Sequence, residues 1–271
     1  MKTALVMLAV LCAAPRAWTQ SASFTDVPDR FLIEGGGFNV SADTSLRFSS
    51  ARLGGTTIDF EDDLDVPDVA QRGYFDAYWR AGRRHLLNLG VARLHREGPG
   101  RTLSRDIAWG DTVYPVGVSL RGRMESDHVF GAYRFAAYRN DRFEIGPSLG
   151  FGYLWITAGL RAEGTGQSGV SLDREATTGS VTGDLGGYLQ VWAAKRLLVR
   201  GDMRYIFVKP ERAEASVTEG RVGATYYPWP KVGFGAQYTY TKFRYDRDIV
   251  SSELSGSYRY SGPQLLVSFA F

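Results

Sequence analysis

The chain has 271 residues, a formal net charge of +3, 13% aromatic residues and 32 glycines, and its charges are scattered along its length. That scatter excludes a nucleic-acid binder, which needs a basic stripe on one face. The negative mean hydropathy excludes a bundle of membrane helices, but it is blind to a transmembrane barrel, whose lipid-facing residues alternate with polar ones.

Residues 1–22 read as a cleaved secretory signal. Lys2 supplies the positive start, Ala4 to Ala14 the short apolar run, and Ala17-Trp18-Thr19 or Ala22-Ser23 the small-residue cleavage point. The run is too short for a spanning helix of roughly 20 residues. The single cysteine, Cys12, lies inside this segment behind Leu11, which is wrong for lipoprotein processing. The mature chain is then cysteine-free, which excludes disulfides, thiolate metal sites and a cysteine nucleophile. Residues 23–271 show no linker and no repeat longer than a hairpin, so one domain is expected.

From there the chain alternates with period two, one parity apolar or small and the other polar. Ten strands are expected, at about 31–40, 72–81, 84–97, 118–138, 143–160, 177–193, 197–208, 215–228, 232–245 and 256–271, each long enough to cross a bilayer when tilted. Tight turns at Arg80–Arg84, Arg139–Arg142, Ala193–Arg196 and Tyr227–Lys231 alternate with longer polar connections at 41–71, 97–121, 162–176, 209–215 and 246–256. Short periplasmic turns and long outer loops mark outer-membrane barrels. The expected fold is therefore all-β, a transmembrane antiparallel up-and-down β-barrel of the Gram-negative outer membrane. Segments 43–50, 55–61 and 102–108 also alternate, as strands above the membrane or as an extra spanning pair, which leaves eight to twelve strands open. At the other end Leu265, Val267, Phe269 and Phe271 share one face, the pattern that barrel-assembly machinery reads in a closing strand.

The polar parity collects Glu34, Asp76, Arg80, Arg134, Glu144, Asp184, Arg200, Asp202, Arg204, Glu219 and Arg221. Acids and arginines nearly balance, which suits a lumen plugged by its own salt bridges. A narrow, porin-like path for ions or small anionic solutes is the alternative. Aromatic residues form two expected girdles: Trp79, Tyr138, Trp192, Tyr226, Tyr227 and Trp229 near the short turns, and Tyr238, Tyr240, Tyr245, Tyr258 and Tyr260 toward the other rim.

Candidate chemistry is sparse. Ser126 and His128 sit two apart on one strand face, a spacing that allows a hydroxyl nucleophile and its base to meet, whereas His85 lies by a short turn and His95 stands apart. The acidic run Asp59-Phe60-Glu61-Asp62-Asp63-Leu64-Asp65 lacks the spacing and glycine of a calcium loop, so a solvated or inward-folded loop is expected there. No catalytic residue, metal or cofactor is expected, and a lipid-modifying enzyme is the remote reading.

Thr56-Thr57-Ile58-Asp59-Phe60-Glu61-Asp62-Asp63-Leu64, followed by Tyr78-Trp79-Arg80 and Arg84-His85-Leu86, resembles the front half of a group of uncharacterised proteobacterial outer-membrane β-barrel proteins, over roughly residues 30–140. The chain departs from that pattern at Asp65, where the group has glycine. The resemblance implies barrel and outer-membrane location and brings no activity. Together these readings give a monomeric barrel with a structural or surface-interaction role. Its partners would be outer-membrane lipid, lipopolysaccharide and the barrel-assembly machinery.

Overall fold

The computed structural model describes residues 24–50, 56–109, 112–163, 172–208, 214–249 and 252–271; the expected signal peptide, 1–22, lies outside them. Ten long strands build the fold: β1 (Phe31–Ser50), β2 (Val69–Arg80), β3 (His85–Glu97), β4 (Ser119–Phe135), β5 (Phe143–Glu163), β6 (Leu172–Ala194), β7 (Leu197–Val208), β8 (Glu214–Trp229), β9 (Val232–Ile249) and β10 (Ser252–Ala270). Each pairs antiparallel with its chain neighbours, and β10 pairs with β1 from Leu32↔Ala270 to Ser50↔Ser252, so the sheet closes.

The stagger follows from the register. From Trp192 in β6, paired residues run through Leu198, Thr225, Gly235, Leu266 and Gly36, then Tyr74, Ala92, His128 and Leu154. Leu154 pairs with Ser180, twelve residues from the start in the same strand. For ten strands about 4.8 Å apart, rising about 3.3 Å per residue, that offset implies a tilt of about 40° and a backbone radius of about 10 Å.

The outer face is apolar. Met203, Tyr205 and Phe207 of β7 are exposed, as are Ile145, Leu149, Phe151, Tyr153 and Trp155 of β5. A strand tilted about 40° needs about ten residues to rise the roughly 25 Å of a transmembrane apolar band, which is the run from Ile145 to Trp155. Trp79, Tyr138, Tyr226 and Trp229 ring the short-turn end, and Tyr238 and Tyr240 lie toward the other. Four aromatics expected in these girdles point inward instead: Tyr227, Tyr258 and Tyr260 are buried, and Trp192 packs against Tyr227. Their parity is that of Gln264, Leu266 and Ser268 on β10, of Glu219 and Arg221 on β8, or of Asp184 and Tyr188 on β6, so pleat direction overrides nearness to a rim. The side chain of Tyr245 lies outside the described residues.

The front of the chain settles the strand count at ten. Segment 43–50 continues β1 and pairs with β10, because no turn residue interrupts Val40-Ser41-Ala42. Thr57–Asp59 folds back onto Ser45–Arg47, and Ile107–Trp109 pairs antiparallel with Thr112–Tyr114 in a separate two-stranded sheet. The strands flanking the expected loops 162–176 and 246–256 also run further than expected, to Glu163 and from Leu172, and to Ile249 and from Ser252.

Two backbone details fix the local shape. Strand β4 breaks at Ala136 and Ala137 and presses on Gly146, where a Cβ would lie 1.7 Å from the Phe135 carbonyl oxygen; no side chain fits there. Asp65 has φ 54°, a left-handed conformation that glycine adopts without steric cost.

Replacing the lipid-facing Leu149 with arginine is expected to cost about 2–4 kcal/mol, the penalty for a cation deep in the apolar band. Urea titration of barrels folded in phosphatidylcholine vesicles measures it.

Candidate functional site in the barrel lumen

The inward faces of the strands carry polar and charged side chains through the middle of the barrel and apolar ones toward both ends. Strands β7 and β8 set two opposite-charge pairs directly across from each other, Asp202↔Arg221 and Arg204↔Glu219, the arrangement that stabilises paired strands. Arg221 grips Asp202 through Nε and Nη2, with Nη2···Oδ1 at 2.6 Å, and donates from Nη1 to Asp76 Oδ2 on the far wall at 2.8 Å. Arg204 donates to Glu219 at 2.7 Å with its guanidinium 4.1 Å from the Phe130 ring centre. Glu219 also faces Arg72 of β2 at 3.8 Å.

Nearer the short turns Arg200 pairs with Glu34, and Arg134 reaches Asp202 at 3.4 Å and Asn88 at 3.3 Å. Glu144 receives Arg80 at 2.8 Å and the Tyr188 hydroxyl at 2.7 Å. Six guanidiniums (Arg72, Arg80, Arg134, Arg200, Arg204, Arg221) thus stand among six carboxyl groups (Glu34, Asp76, Glu144, Asp184, Asp202, Glu219). Asp184 is 1% exposed and makes no ion pair within 4.0 Å among the described residues. The glycine at position 90 makes room, since a Cβ there would lie 2.5 Å from Asp76 Oδ1 and 2.3 Å from Phe130.

The short-turn end is closed by the segment before β1. Val27 packs with Leu198, Tyr227 and Ala270, and the Tyr227 hydroxyl meets Ser268 Oγ at 2.8 Å. Thr25 donates to the Lys195 carbonyl, and Asp29 pairs with Arg80 and Arg139. Asp26 accepts from Arg196 at 2.8 Å; that hydrogen bond holds its carboxyl below the usual carboxylate range.

The long-loop end is closed by the acidic run, which folds inward. Ile58, Phe60, Leu64 and Val66 are buried in a cluster with Val40, Leu94, Leu120 and Met124. The carboxylates of the run serve the loop itself: Asp59 Oδ1 accepts from the amides of Glu61 and Asp62, and Asp63 Oδ2 from the amide of Asp59. Glu61 accepts the Thr44 amide at 2.9 Å and Arg96 at 2.5 Å, and Arg96 also donates to Thr44 Oγ1 and the Pro67 carbonyl. Burial pushes the Glu61 carboxyl up from its ordinary range, against the opposing pull of the Thr44 amide and Arg96. Among the described residues no group of His, Cys, Asp and Glu is placed to hold a metal.

Two cavities lie between these seals. One of about 30 Å³ is bounded by Glu34, Tyr78, Arg134, Arg200 and Asp202; the other, of about 50 Å³, by Arg72, His128, Glu219, Thr241 and Tyr258. They share no lining residue. A water occupies about 10–15 Å³ on this measure, so each holds a few waters.

All eleven charges expected on the polar parity stand in this lumen. Leu265, Val267 and Phe269 of β10, with Phe271 after it, lie on the outer face. Arg72 and Arg96 were missed, although each shares parity with an inward neighbour, Asp76 and Asn88 respectively. His128 also faces inward, with Nε2 3.3 Å from Thr182 Oγ1 and no hydrogen bond to Ser126. His85 meets the Tyr133 hydroxyl and His95 meets Glu125, both on exposed faces.

No protein-family model matches the chain, and no curated protein matches its sequence. Among solved structures it is similar to the outer-membrane protease OmpT of Escherichia coli, at 9% identity and a TM-score of 0.53, over 90% of this chain and 97% of that one. It is also similar to the outer-membrane protein OprG of Pseudomonas aeruginosa, at 9% identity and a TM-score of 0.41, over 91% and 99% of the two chains. At so low an identity the OmpT likeness shows the shared outer-membrane β-barrel fold alone.

Replacing Arg221 with methionine strands two carboxylates in the lumen and is expected to cost about 3–5 kcal/mol, read as a lower unfolding midpoint in urea. Replacing Arg96 with methionine is expected to free the 56–66 loop, read as faster protease nicking there while the strands stay protected.

Proposed function

We propose that the protein resides in the bacterial outer membrane as a monomeric barrel with a closed lumen and serves a structural or surface-interaction role without catalysis. The observation that carries this reading is the set of ion pairs spanning the lumen, Asp76–Arg221 and Arg72–Glu219 from β2 to β8, held between an apolar seal at each end. A solute crossing the barrel would have to part these pairs and displace both seals. Lipid and lipopolysaccharide would surround the apolar band, and the barrel-assembly machinery would insert the chain. At 21 and 23 residues, β5 and β6 exceed what a bilayer needs, and their upper ends support a surface for contact outside the membrane.

A non-catalytic role is supported by the separation of the histidines: His128 lies within the lumen wall, His85 at the short-turn rim and His95 on the outer surface. Among the described residues none has a serine hydroxyl as a hydrogen-bond partner.

The purified barrel in planar bilayers is expected to give no discrete conductance steps. Steps would favour the narrow channel and overturn the closed lumen. Cells carrying His128→Ala are expected to keep their lipid A and phospholipid profiles; an altered profile would point to lipid chemistry.

A further inference from the structure

The larger cavity has more hydrogen-bond donors than the protein uses. Arg72, Thr241 and Tyr258 line it, all at least nine-tenths buried, and Arg72 Nη1, Thr241 Oγ1 and the Tyr258 hydroxyl have no hydrogen-bond partner among the described residues. Buried polar groups are normally satisfied, and a set left open together on one cavity wall points to an occupant.

The local charge says which kind. Glu219 is the cavity's one buried carboxylate, and it faces Arg204 at 2.7 Å, Arg221 at 3.5 Å and Arg72 at 3.8 Å. Arg221 is already matched by Asp76 and Asp202, and Arg204 holds Glu219 the more closely, so Arg72 keeps only a shared carboxylate at 3.8 Å. Water fits such a wall by accepting from Arg72 and donating to the hydroxyl oxygens, but a carboxylate accepts from all three and also supplies the charge that Arg72 lacks. Ile206, Val217 and Phe243 give the wall an apolar side, apart from Ser126 and His128, and the volume of about 50 Å³ suits a few heavy atoms.

We propose that this cavity is a binding site for a small monovalent carboxylate of the size of formate or acetate. Its oxygens take the donors of Arg72, Thr241 and Tyr258, and its carbon end rests against Ile206, Val217 and Phe243. The site is independent of whether the lumen conducts.

The test is calorimetric titration of acetate into the purified full chain at constant ionic strength, with sulfate, too large and doubly charged, as the balancing salt. Saturable acetate binding is expected in the unaltered protein, with formate competing. Tyr258→Phe and Thr241→Val each remove a hydroxyl with no partner in the protein, so both barrels are expected to fold, and each is expected to weaken acetate binding at least tenfold. Absence of saturable binding to the unaltered chain would overturn the proposal without recourse to any variant, leaving the cavity to water. Equal affinity in both variants would overturn it too, since the acetate would then sit elsewhere.

Discussion

Ten strands staggered by twelve residues hold facing walls about 20 Å apart, backbone to backbone, and that distance governs the whole interior. Long side chains from opposite walls meet near the axis, so a charge on one wall finds its partner on the other. Asp76 and Arg221, 145 residues apart in sequence, meet at 2.8 Å in this way. A wider barrel would leave both in water, where an ion pair contributes little. In this one they are buried, and removing either leaves the other uncompensated at a cost of several kcal/mol. Near-balance between inward acids and arginines is therefore a condition for the cylinder to close.

The ends obey a different rule. Where the polar middle meets the solvent at each mouth, the chain returns over the opening with apolar residues: Val27 against Leu198 and Tyr227 at one end, Phe60 and Leu64 against Leu120 and Met124 at the other. Each cover is fastened by ions at its edge, Asp29 to Arg80 and Arg139, and Glu61 to Arg96. Exclusion of water by the covers lowers the dielectric around the central pairs and strengthens them. The covers and the charge network thus support each other, and Arg80 belongs to both.

Much of this was legible in the sequence because a pleated strand commits side chains to faces with period two. The alternation in Leu197–Val208 fixes Arg200, Asp202 and Arg204 inside and Met203, Tyr205 and Phe207 outside. The aromatic girdles misled where nearness to a turn was weighed above parity: Tyr226 and Tyr227 are neighbours, yet one faces lipid and the other is fully buried. The acidic loop was partly hidden because its two roles alternate within nine residues, Ile58, Phe60, Leu64 and Val66 turning in while Asp59 and Asp63 bind its own backbone. Which acid meets which arginine was not legible at all. Pairing across a lumen depends on the stagger, and the stagger is a property of the closed sheet.

The choice of arginine inside the barrel follows from the same geometry. Every inward cation of the central network is arginine, and lysine would not serve. A guanidinium offers five donors in a plane, so Arg221 bridges Asp202 and Asp76 at once, which a single ammonium does with poorer directionality. Its flat face also tolerates aromatic neighbours: Arg134 lies over Tyr78 and Tyr188, and Arg72 over Tyr260. These rings fill the space that hydration would otherwise require, so the cations are desolvated without being left in contact with bare hydrocarbon. Because Arg80, Arg134 and Arg221 each serve more than one polar partner, parting one of their pairs loosens the next. Opening such a lumen would be a cooperative rearrangement of the whole cross-section, and a lumen built this way resists leakage one side chain at a time.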